Sequence, residues 1–248
     1  EAVKAVAREI ADLIRTNADK SEKCVLGLAT GSSPIKLYEE LVRMHREEGL
    51  SFKNVVSFNL DEYLPMPKES EQSYHYFMHH HLFDHIDIDP KNIHIPDGTL
   101  KAEEIENFCK EYERQIEAAG GIDIQVLGIG RTGHIGFNEP GSPLTSKTRM
   151  VYLDDLTIKD AAGDFGGMEN VPSRAITMGV GTIMKARKVI LLAWGEKKAS
   201  IIKATVEGSV SDAVPATFLQ VHPNVQFVID ESAAEELTRA NQPWLVSK

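Results

Sequence analysis

Hydrophobic residues occur along this chain in two patterns, one helical and one typical of buried strands. Val3, Val6, Ile10 and Ile14 recur at helical spacing, so residues 2–17 are predicted to form an amphipathic helix. Short apolar runs predict strands at 24–29, 55–60, 122–130, 148–153, 188–194 and 225–230. Further helices are predicted at 34–48, 73–83, 101–119, 196–208 and 231–240, and the proline-containing segment 61–72 is predicted to be a loop.

Alternation of strands and helices predicts an α/β fold in which a mostly parallel sheet carries helices on both faces. No repeat or linker interrupts the pattern, so residues 1–248 are predicted to form a single domain. Ligands of open parallel sheets bind outside the carboxyl ends of the strands. Three unusual loops follow predicted strands, TGSSP, DEYLP and GRTGHIGFNEPGS, and we expect them to converge on one site.

Composition narrows the classes of function. The chain has 248 residues, of which 42% are hydrophobic, enough to bury a substantial core. A net charge of −10 without a Lys/Arg run argues against nucleic acid or an anionic membrane as partner. No apolar stretch reaches the roughly 18 residues of a membrane span. The two distant cysteines, Cys24 and Cys109, predict no disulfide framework and fit a reducing cytoplasm.

The TGSSP loop is a candidate phosphate site. Its glycine permits a tight turn, its serines supply hydroxyls, and its proline suits the first turn of a helix. Free N–H groups at the start of that helix favour an anion, although a simple helix cap has the same sequence pattern. A lysine in the first turn of the predicted helix 196–208 could add positive charge, or be an ordinary exposed lysine. The candidate residues are Thr30, Gly31, Ser32, Ser33 and Lys198.

Two adjacent carboxylates, Asp61 and Glu62, follow the predicted strand 55–60. Neighbouring side chains on an extended chain point in opposite directions, so only one is expected to enter a site. A metal site, an acid–base site and a solvated turn are the alternatives. Asp61 is favoured as a functional group because it directly follows the apolar strand.

The loop GRTGHIGFNEP (130–140) is predicted to carry proton-transfer chemistry. Gly130 and Gly133 permit close approach of the backbone to a ligand. A histidine, His134, is followed five residues later by Glu139, which can orient the imidazole, and such a pair is a competent proton relay. A solvated loop histidine is the alternative.

Histidines also cluster in the predicted helix 73–83. Consecutive helical residues fan out around the axis and share one metal ion poorly, so no metal site is predicted. We interpret the cluster as solvated helix surface or an oligomer contact. Its members are His75, His79, His80 and His81, with His85 nearby.

Five motifs, in order along the chain, resemble one known family. LGLATGSSP, SFNLDEY, GIGRTGHIGFNEPGS, ITMGVGT and WGEKKA are similar to the glucosamine-6-phosphate deaminases, and the likeness runs from about residue 20 to about residue 230. The resemblance implies a Rossmann-like fold shared with ribose-5-phosphate isomerase and phosphogluconolactonase-like proteins. The implied reaction converts glucosamine 6-phosphate and water to fructose 6-phosphate and ammonia, without a metal or organic cofactor.

The resemblance also implies a role for each motif. His134, supported by Glu139, would open the pyranose ring, and Asp61 would move a proton from C2 to C1 before ammonia leaves. The TGSSP loop and Lys198 would hold the phosphate of this small-molecule sugar phosphate. The polar segment 154–173 resembles the family's mobile lid, and its glycines fit hinge use.

The active-site motifs depart from the family pattern at two points. Thr132 takes the place of an aspartate that many members carry two residues before the ring-opening histidine, and a hydroxyl cannot orient the imidazole as a carboxylate does. Thr132 remains among the predicted catalytic residues. The stretch AAGDFGG (161–167), which matches part of the family's lid, lacks the phosphate-binding arginine of that lid, for which Arg174 or Lys159 are candidate replacements.

A regulatory motif is also altered. Ser142 and Arg149 match residues of the allosteric N-acetylglucosamine-6-phosphate site of the enterobacterial enzyme, but Val151 replaces the accompanying lysine. Weak or absent activation by that ligand is therefore predicted.

The segment LTIKDAAGDFGGMENVP and the ending QPWLV resemble a longer, Bacteroidetes-type subgroup with a C-terminal deacetylase-like domain. The chain is then expected to be the N-terminal module of a larger protein. Family members range from monomers to hexamers, which leaves a homo-oligomer open. Two alternatives to the deaminase are a related isomerase or lactonase and a non-catalytic sugar-phosphate sensor, although no DNA-binding pattern accompanies the motifs.

Overall fold

A six-stranded parallel sheet lies at the centre of the computed structural model, which describes residues 1–238. In chain order the helices and strands are α1 (Ala2–Asp19), β1 (Cys24–Leu28), α2 (Ile35–Glu48), β2 (Val55–Asn59), β3 (Asp61–Leu64), α3 (Tyr74–His81), β4 (Ile93–His94), α4 (Ala102–Ala118), β5 (Ile124–Leu127), β6 (Arg149–Tyr152), α5 (Asp155–Phe165), β7 (Arg174–Thr177), α6 (Val180–Met184), β8 (Lys188–Ala193), α7 (Ala199–Glu207) and β9 (Val225–Ile229). The central sheet has the order β4-β2-β1-β5-β8-β9, and each neighbouring pair is parallel.

Helices cover both faces of this sheet, which confirms the predicted α/β fold. Helices α1, α2 and α3 pack on one face, and the predicted stripe of α1 is buried there through Val6, Ile10 and Ile14. Helices α4, α6 and α7 pack on the other face, for example through Tyr112 and Ile202. Each large apolar side chain buried in this way stabilises the fold by about 1.5–3 kcal/mol.

The strand order reverses beside β1. From β1 the chain proceeds outward to β2 and β4, and from β5, on the other side of β1, it proceeds outward to β8 and β9. Such a reversal opens a crevice at the carboxyl ends of the two central strands. The TGSSP loop follows β1 and the GRTGHIGFNEP loop follows β5, so both predicted loops lie at this crevice.

A second, antiparallel sheet of order β3-β7-β6 corrects the prediction that 61–72 is a loop. Residues Asp61–Leu64 are a strand because they pair with Arg174–Thr177, more than a hundred residues later. Leu60 connects the two sheets, since its N–H donates to Leu28 O (3.0 Å) and its carbonyl accepts from Met178 N–H (2.7 Å). The predicted strand 148–153 exists as β6, but it belongs to this second sheet.

Three further elements differ from prediction. Residues 154–173 contain the unpredicted helix α5, and Lys198 precedes α7 in a short 3₁₀ turn. Residues 231–236 form turns in place of the predicted helix 231–240, since only Ala233 of 231–238 is fully buried and packing does not hold a helix there. The rest of that prediction, and QPWLV, lie outside the described residues. Within residues 1–238, no helix is long and apolar enough to cross a membrane.

Candidate active site

A polar cavity of about 230 Å³ lies at the carboxyl ends of β1 and β5. Eight of the residues predicted to bind substrate or to act on it line this cavity: Thr30, Gly31, Ser32, Ser33, Asp61, Gly130, His134 and Lys198. Thr132 and Glu139 lie behind His134 and contact it, whereas Gly133 does not line the cavity. The motifs TGSSP, DEYLP and GRTGHIGFNEPGS thus all reach one site.

One end of the cavity is suited to an anion. Gly31 has a left-handed backbone (φ 87°), which turns the TGSSP loop towards the start of α2, where unpaired helix N–H groups favour negative charge. The indole of Trp194 fixes this loop by donating to Ser33 O (3.0 Å). Lys198 Nζ donates to Ile129 O (2.7 Å) across the same end. Burial lowers the pKa of Lys198, and the nearby Asp160 carboxylate partly offsets this.

Asp61 lies in the wall of the cavity as the first residue of β3, opposite Thr177 of β7. Only 6% of its surface is exposed. Gly136 (φ 57°) lets the β5 loop pass close to it, because a Cβ at this glycine would lie 2.8 Å from Thr177 Oγ1 and 3.4 Å from Asp61 Oδ2. Burial raises the pKa of Asp61 well above its ordinary value, and the charge of Glu62 raises it further. A carboxylate with a raised pKa is a stronger proton acceptor once ionised.

Glu62 points away from the cavity, as expected for the neighbour of Asp61 in a strand. Its carboxylate accepts hydrogen bonds from the backbone N–H groups of Tyr63 (2.9 Å), Tyr74 (3.0 Å) and His75 (3.0 Å), so it holds the start of α3. Burial raises the pKa of Glu62 to about 7 despite these hydrogen bonds. The two carboxylates of DEY therefore have different places: Asp61 faces the cavity, and Glu62 anchors the start of α3.

His134 and Glu139 form a close pair, with Nδ1 and Oε2 3.2 Å apart. Two threonine hydroxyls complete the group. Thr132 Oγ1 lies 3.0 Å from His134 Nδ1 and donates to Glu139 Oε2 (3.2 Å), and Thr157 Oγ1 donates to Glu139 Oε1 (2.5 Å). Burial raises the pKa of Glu139, but the hydrogen bond and charge of His134, followed by the two threonines, outweigh burial, and the pKa is lowered overall.

This network assigns the tautomer of His134. An ionised carboxylate only accepts hydrogen bonds, so both threonine hydroxyls give their single hydrogen to Glu139. The oxygen of Thr132 is then an acceptor towards His134, and Nδ1 must carry the imidazole proton. Nε2 is left as the proton acceptor of a side chain that lines the cavity.

Gly130 makes room for the imidazole. A Cβ at this position would lie 2.0 Å from His134 Cε1 and 2.1 Å from Nε2, far inside van der Waals contact. Gly133, another predicted substrate-binding glycine, is required to be glycine for a different reason. It adopts φ 79°, and a Cβ there would meet Val214 Cγ1 at 2.4 Å, so its small size serves packing of the loop.

Several residues around the cavity were missed by sequence reasoning. Tyr74 and Phe137 line it, and their rings stack with centroids 5.9 Å apart. Thr157 reaches the site from α5, and Arg131, in the β5 loop, forms an ion pair with Asp160 of the same helix (3.1 Å). Arg174 and Lys159, the proposed replacements for the lid arginine, do not line the cavity. No periodic or motif signal marks Thr157, since its importance depends on where α5 packs.

The residues matched to an allosteric site do not line the cavity. The guanidinium of Arg149 donates to Asn138 Oδ1 (2.9 Å) and to Ser142 Oγ (3.3 Å). Val151, in place of the lysine, packs against the apolar cluster around Tyr63. Weak activation stays a prediction.

In the part of the chain that the structure describes, no group of three or more His, Cys, Asp or Glu side chains is arranged to hold a metal. The histidines of α3 instead stack on neighbouring rings.

Comparison with known proteins identifies the family of this chain. The family model described as glucosamine-6-phosphate isomerases/6-phosphogluconolactonase matches residues 1–228. The chain belongs to this family. A glucosamine-6-phosphate deaminase of Shewanella loihica is 53% identical over 94% of this chain and 86% of its own length. A glucosamine-6-phosphate deaminase-like protein of Bacteroides thetaiotaomicron is 51% identical over 98% of this chain, which spans only 36% of that relative's length.

The fold agrees with the family as well. The structure of a monomeric glucosamine-6-phosphate deaminase superimposes with a TM-score of 0.90, at 40% identity, covering 95% of each chain. A 6-phosphogluconolactonase of Trypanosoma brucei, at 22% identity and a TM-score of 0.75, shares the fold. The predicted family and the Rossmann-like fold are therefore confirmed.

Proposed function

We propose that this chain converts glucosamine 6-phosphate and water to fructose 6-phosphate and ammonia. The observation that carries the proposal is the placement of Asp61 and His134 on one cavity that ends in an anion subsite. The sugar needs proton transfer in two steps, from the C1 hydroxyl to the ring oxygen and then from C2 to C1, and the cavity offers one proton-transfer group for each. The names and 47–53% identity of relatives that this chain covers over most of their length support the same substrate.

Ring opening is assigned to His134. Its Nε2 takes the proton of the C1 hydroxyl and returns a proton to the ring oxygen, which breaks the C1–O bond of the ring and leaves an aldehyde. Glu139 lies 3.2 Å from Nδ1 and stabilises the imidazolium that forms in between. This scheme needs no carboxylate at position 132, because Glu139 contacts the imidazole directly.

Isomerisation is assigned to Asp61. Its carboxylate takes the proton from C2 of the open-chain aldehyde while O1 gains a proton, which gives an enol-amine. The carboxyl then returns its proton to C1 as the amine nitrogen gives up a proton. The resulting C2 imine reacts with water, and ammonia leaves with formation of the ketone. The burial of Asp61 favours this role, because exclusion of water and a raised pKa both increase the basicity of a carboxylate.

The direct test is a product assay. Purified protein is incubated with glucosamine 6-phosphate, and the ammonia and fructose 6-phosphate that form are measured. The two products should appear in equal amounts. Glucose 6-phosphate and 6-phosphogluconolactone serve as comparison substrates, and circular dichroism checks that the protein is folded. The proposal would be wrong if folded protein released no ammonia, or if it converted a comparison substrate faster than glucosamine 6-phosphate.

Replacing Lys198 with methionine is expected to weaken phosphate binding. The ammonium is half-buried at the anion end, and a charge-assisted hydrogen bond to phosphate contributes about 1.5–3 kcal/mol, so KM should rise roughly 10-fold or more. Lys197→Met is the matched control, because Lys197 is exposed and does not line the cavity. The measurement is KM from steady-state kinetics of the two variants. An unchanged KM in Lys198→Met would show that this lysine does not bind the phosphate.

A further inference from the structure

Helix α5 contributes a side chain to the proton relay. Thr157, 8% exposed, donates to Glu139 Oε1 at 2.5 Å and lies 3.5 Å from His134 Nδ1. The relay residues belong to the loop after β5, whereas Thr157 belongs to the segment 154–173. Its hydroxyl is therefore the point at which a separate helix joins the group that is assigned to ring opening.

The position of α5 is set by contacts on both flanks of Thr157. One turn after Thr157, Asp160 pairs with Arg131 of the β5 loop (3.1 Å). Ile158, Ala161 and Phe165 pack against the cluster that contains Tyr63 and Phe137. The ring of Phe165 meets that of Tyr63 edge to face, with centroids 5.2 Å apart. Apolar packing and one exposed ion pair thus place the Thr157 hydroxyl on Glu139.

Each oxygen of Glu139 then has its own donor from a different element. Oε2 accepts from Thr132 and lies 3.2 Å from His134, and Oε1 accepts from Thr157. The carboxylate cannot rotate without breaking one of these bonds, so its orientation towards Nδ1 is fixed from both sides. Without Thr157, Oε1 would be a largely buried oxygen that has lost a charge-assisted partner.

We propose that Thr157 is a positioning residue for the His134–Glu139 pair, and that the relay is complete only when α5 is docked on the β5 loop. Thr157 does not touch the reacting atoms; it acts through Glu139. The effect on catalysis rests on the proposed function, whereas the effect on Glu139 does not.

The test compares Thr157→Val, which keeps the shape and removes the hydroxyl, with Thr157→Ser, which keeps the hydroxyl. Thr145→Val, at an exposed threonine outside the cavity, is the matched control. We expect Thr157→Val to lower kcat about 10-fold with little change in KM, and Thr157→Ser to restore most of the rate. The hydroxyl stabilises the ionised form of Glu139, so its loss raises the pKa of Glu139 and moves the acid limb of the pH–rate profile to higher pH.

A second measurement separates this inference from the proposed function. The Glu139 carboxyl is titrated by ¹³C NMR in the free protein, where no substrate is involved, and its midpoint should be higher in Thr157→Val than in the unmodified protein or in Thr157→Ser. That shift, even in a protein that does not deaminate the sugar, supports positioning by Thr157. An unchanged titration, an effect confined to KM, or an equal loss in Thr157→Ser overturns it. Thr157→Ala provides the same comparison should Thr157→Val fail to fold.

Discussion

Asp61→Asn is expected to lower kcat for glucosamine 6-phosphate by about 10³-fold or more, because an amide cannot accept the C2 proton. Among the groups that line the cavity, Asp61 is the buried carboxylate. Its raised pKa makes it a stronger base than an aspartate with the ordinary pKa. Exchange of the C2 hydrogen with solvent deuterium, followed by NMR, should disappear along with ammonia release. Exchange that persists at the normal rate would show that another group is the base.

The same substitution is expected to stabilise the protein at neutral pH. Burial raises the pKa of Asp61 above its value in the unfolded chain, so the folded state favours the protonated carboxyl. Stability contributed by this group is present at low pH and is lost as pH rises from the unfolded pKa towards the folded pKa. Asparagine removes that loss, so the difference in Tm should favour the variant at pH 7 and shrink in acid.

Asp19→Asn is the control for this stability effect, because Asp19 is exposed at the end of α1. Its Tm should follow that of the unmodified protein at both pH values. A Tm of Asp61→Asn that is lower at pH 7 would contradict the assigned burial cost. Together, a lower kcat and a higher Tm in Asp61→Asn would show that Asp61 supports activity at a cost in stability.

Gly130→Ala is expected to lower kcat about 100-fold while the protein stays folded. The added methyl would lie 2.0 Å from the His134 ring, so the imidazole must leave its position beside Glu139, and misplacement of about 1 Å has an effect of this size. A side-chain rotation relieves the clash, so only a small fall in Tm is expected. The measurements are steady-state kinetics and thermal unfolding.

Gly128→Ala, two residues earlier and directly after β5, is the comparison. A Cβ there would lie 3.8 Å from Ser33, an ordinary contact, and would not touch His134. This variant should keep most of kcat, and any change should fall on KM because Gly128 lines the cavity. Equal kcat values for the two variants would show that Gly130 is not needed for the placement of the imidazole.

Much of the candidate site could be predicted from local sequence, and its detailed arrangement could not. Strand ends followed by TGSSP and by GRTGHIGFNEP were visible in the sequence, and both loops do meet at the cavity. The pairing of His134 with Glu139 was also expected, since both lie in one short loop. The contribution of Thr157 was not, because it depends on the packing of a helix that residue patterns did not reveal.

The second sheet shows the same limit in the fold. The run 61–72 has two prolines and several charges, which favour a loop, yet Asp61–Leu64 is a strand because β7 supplies its hydrogen-bond partners. Helix α5 was hidden by Gly163 and by its polar residues, and it is held by Ile158 and Phe165 against distant aromatic rings.

Local sequence was enough to predict the parallel α/β pattern, the loops that line the cavity and the choice of Asp61, His134 and Glu139 as candidates. These depend on spacing between near neighbours, which periodicity and loop composition record directly. Only the folded chain shows that Asp61 is buried, that Glu62 holds the start of α3, and that Thr157 donates to Glu139. Those properties come from burial and from hydrogen bonds between segments far apart in the chain, and only the folded arrangement brings such groups together.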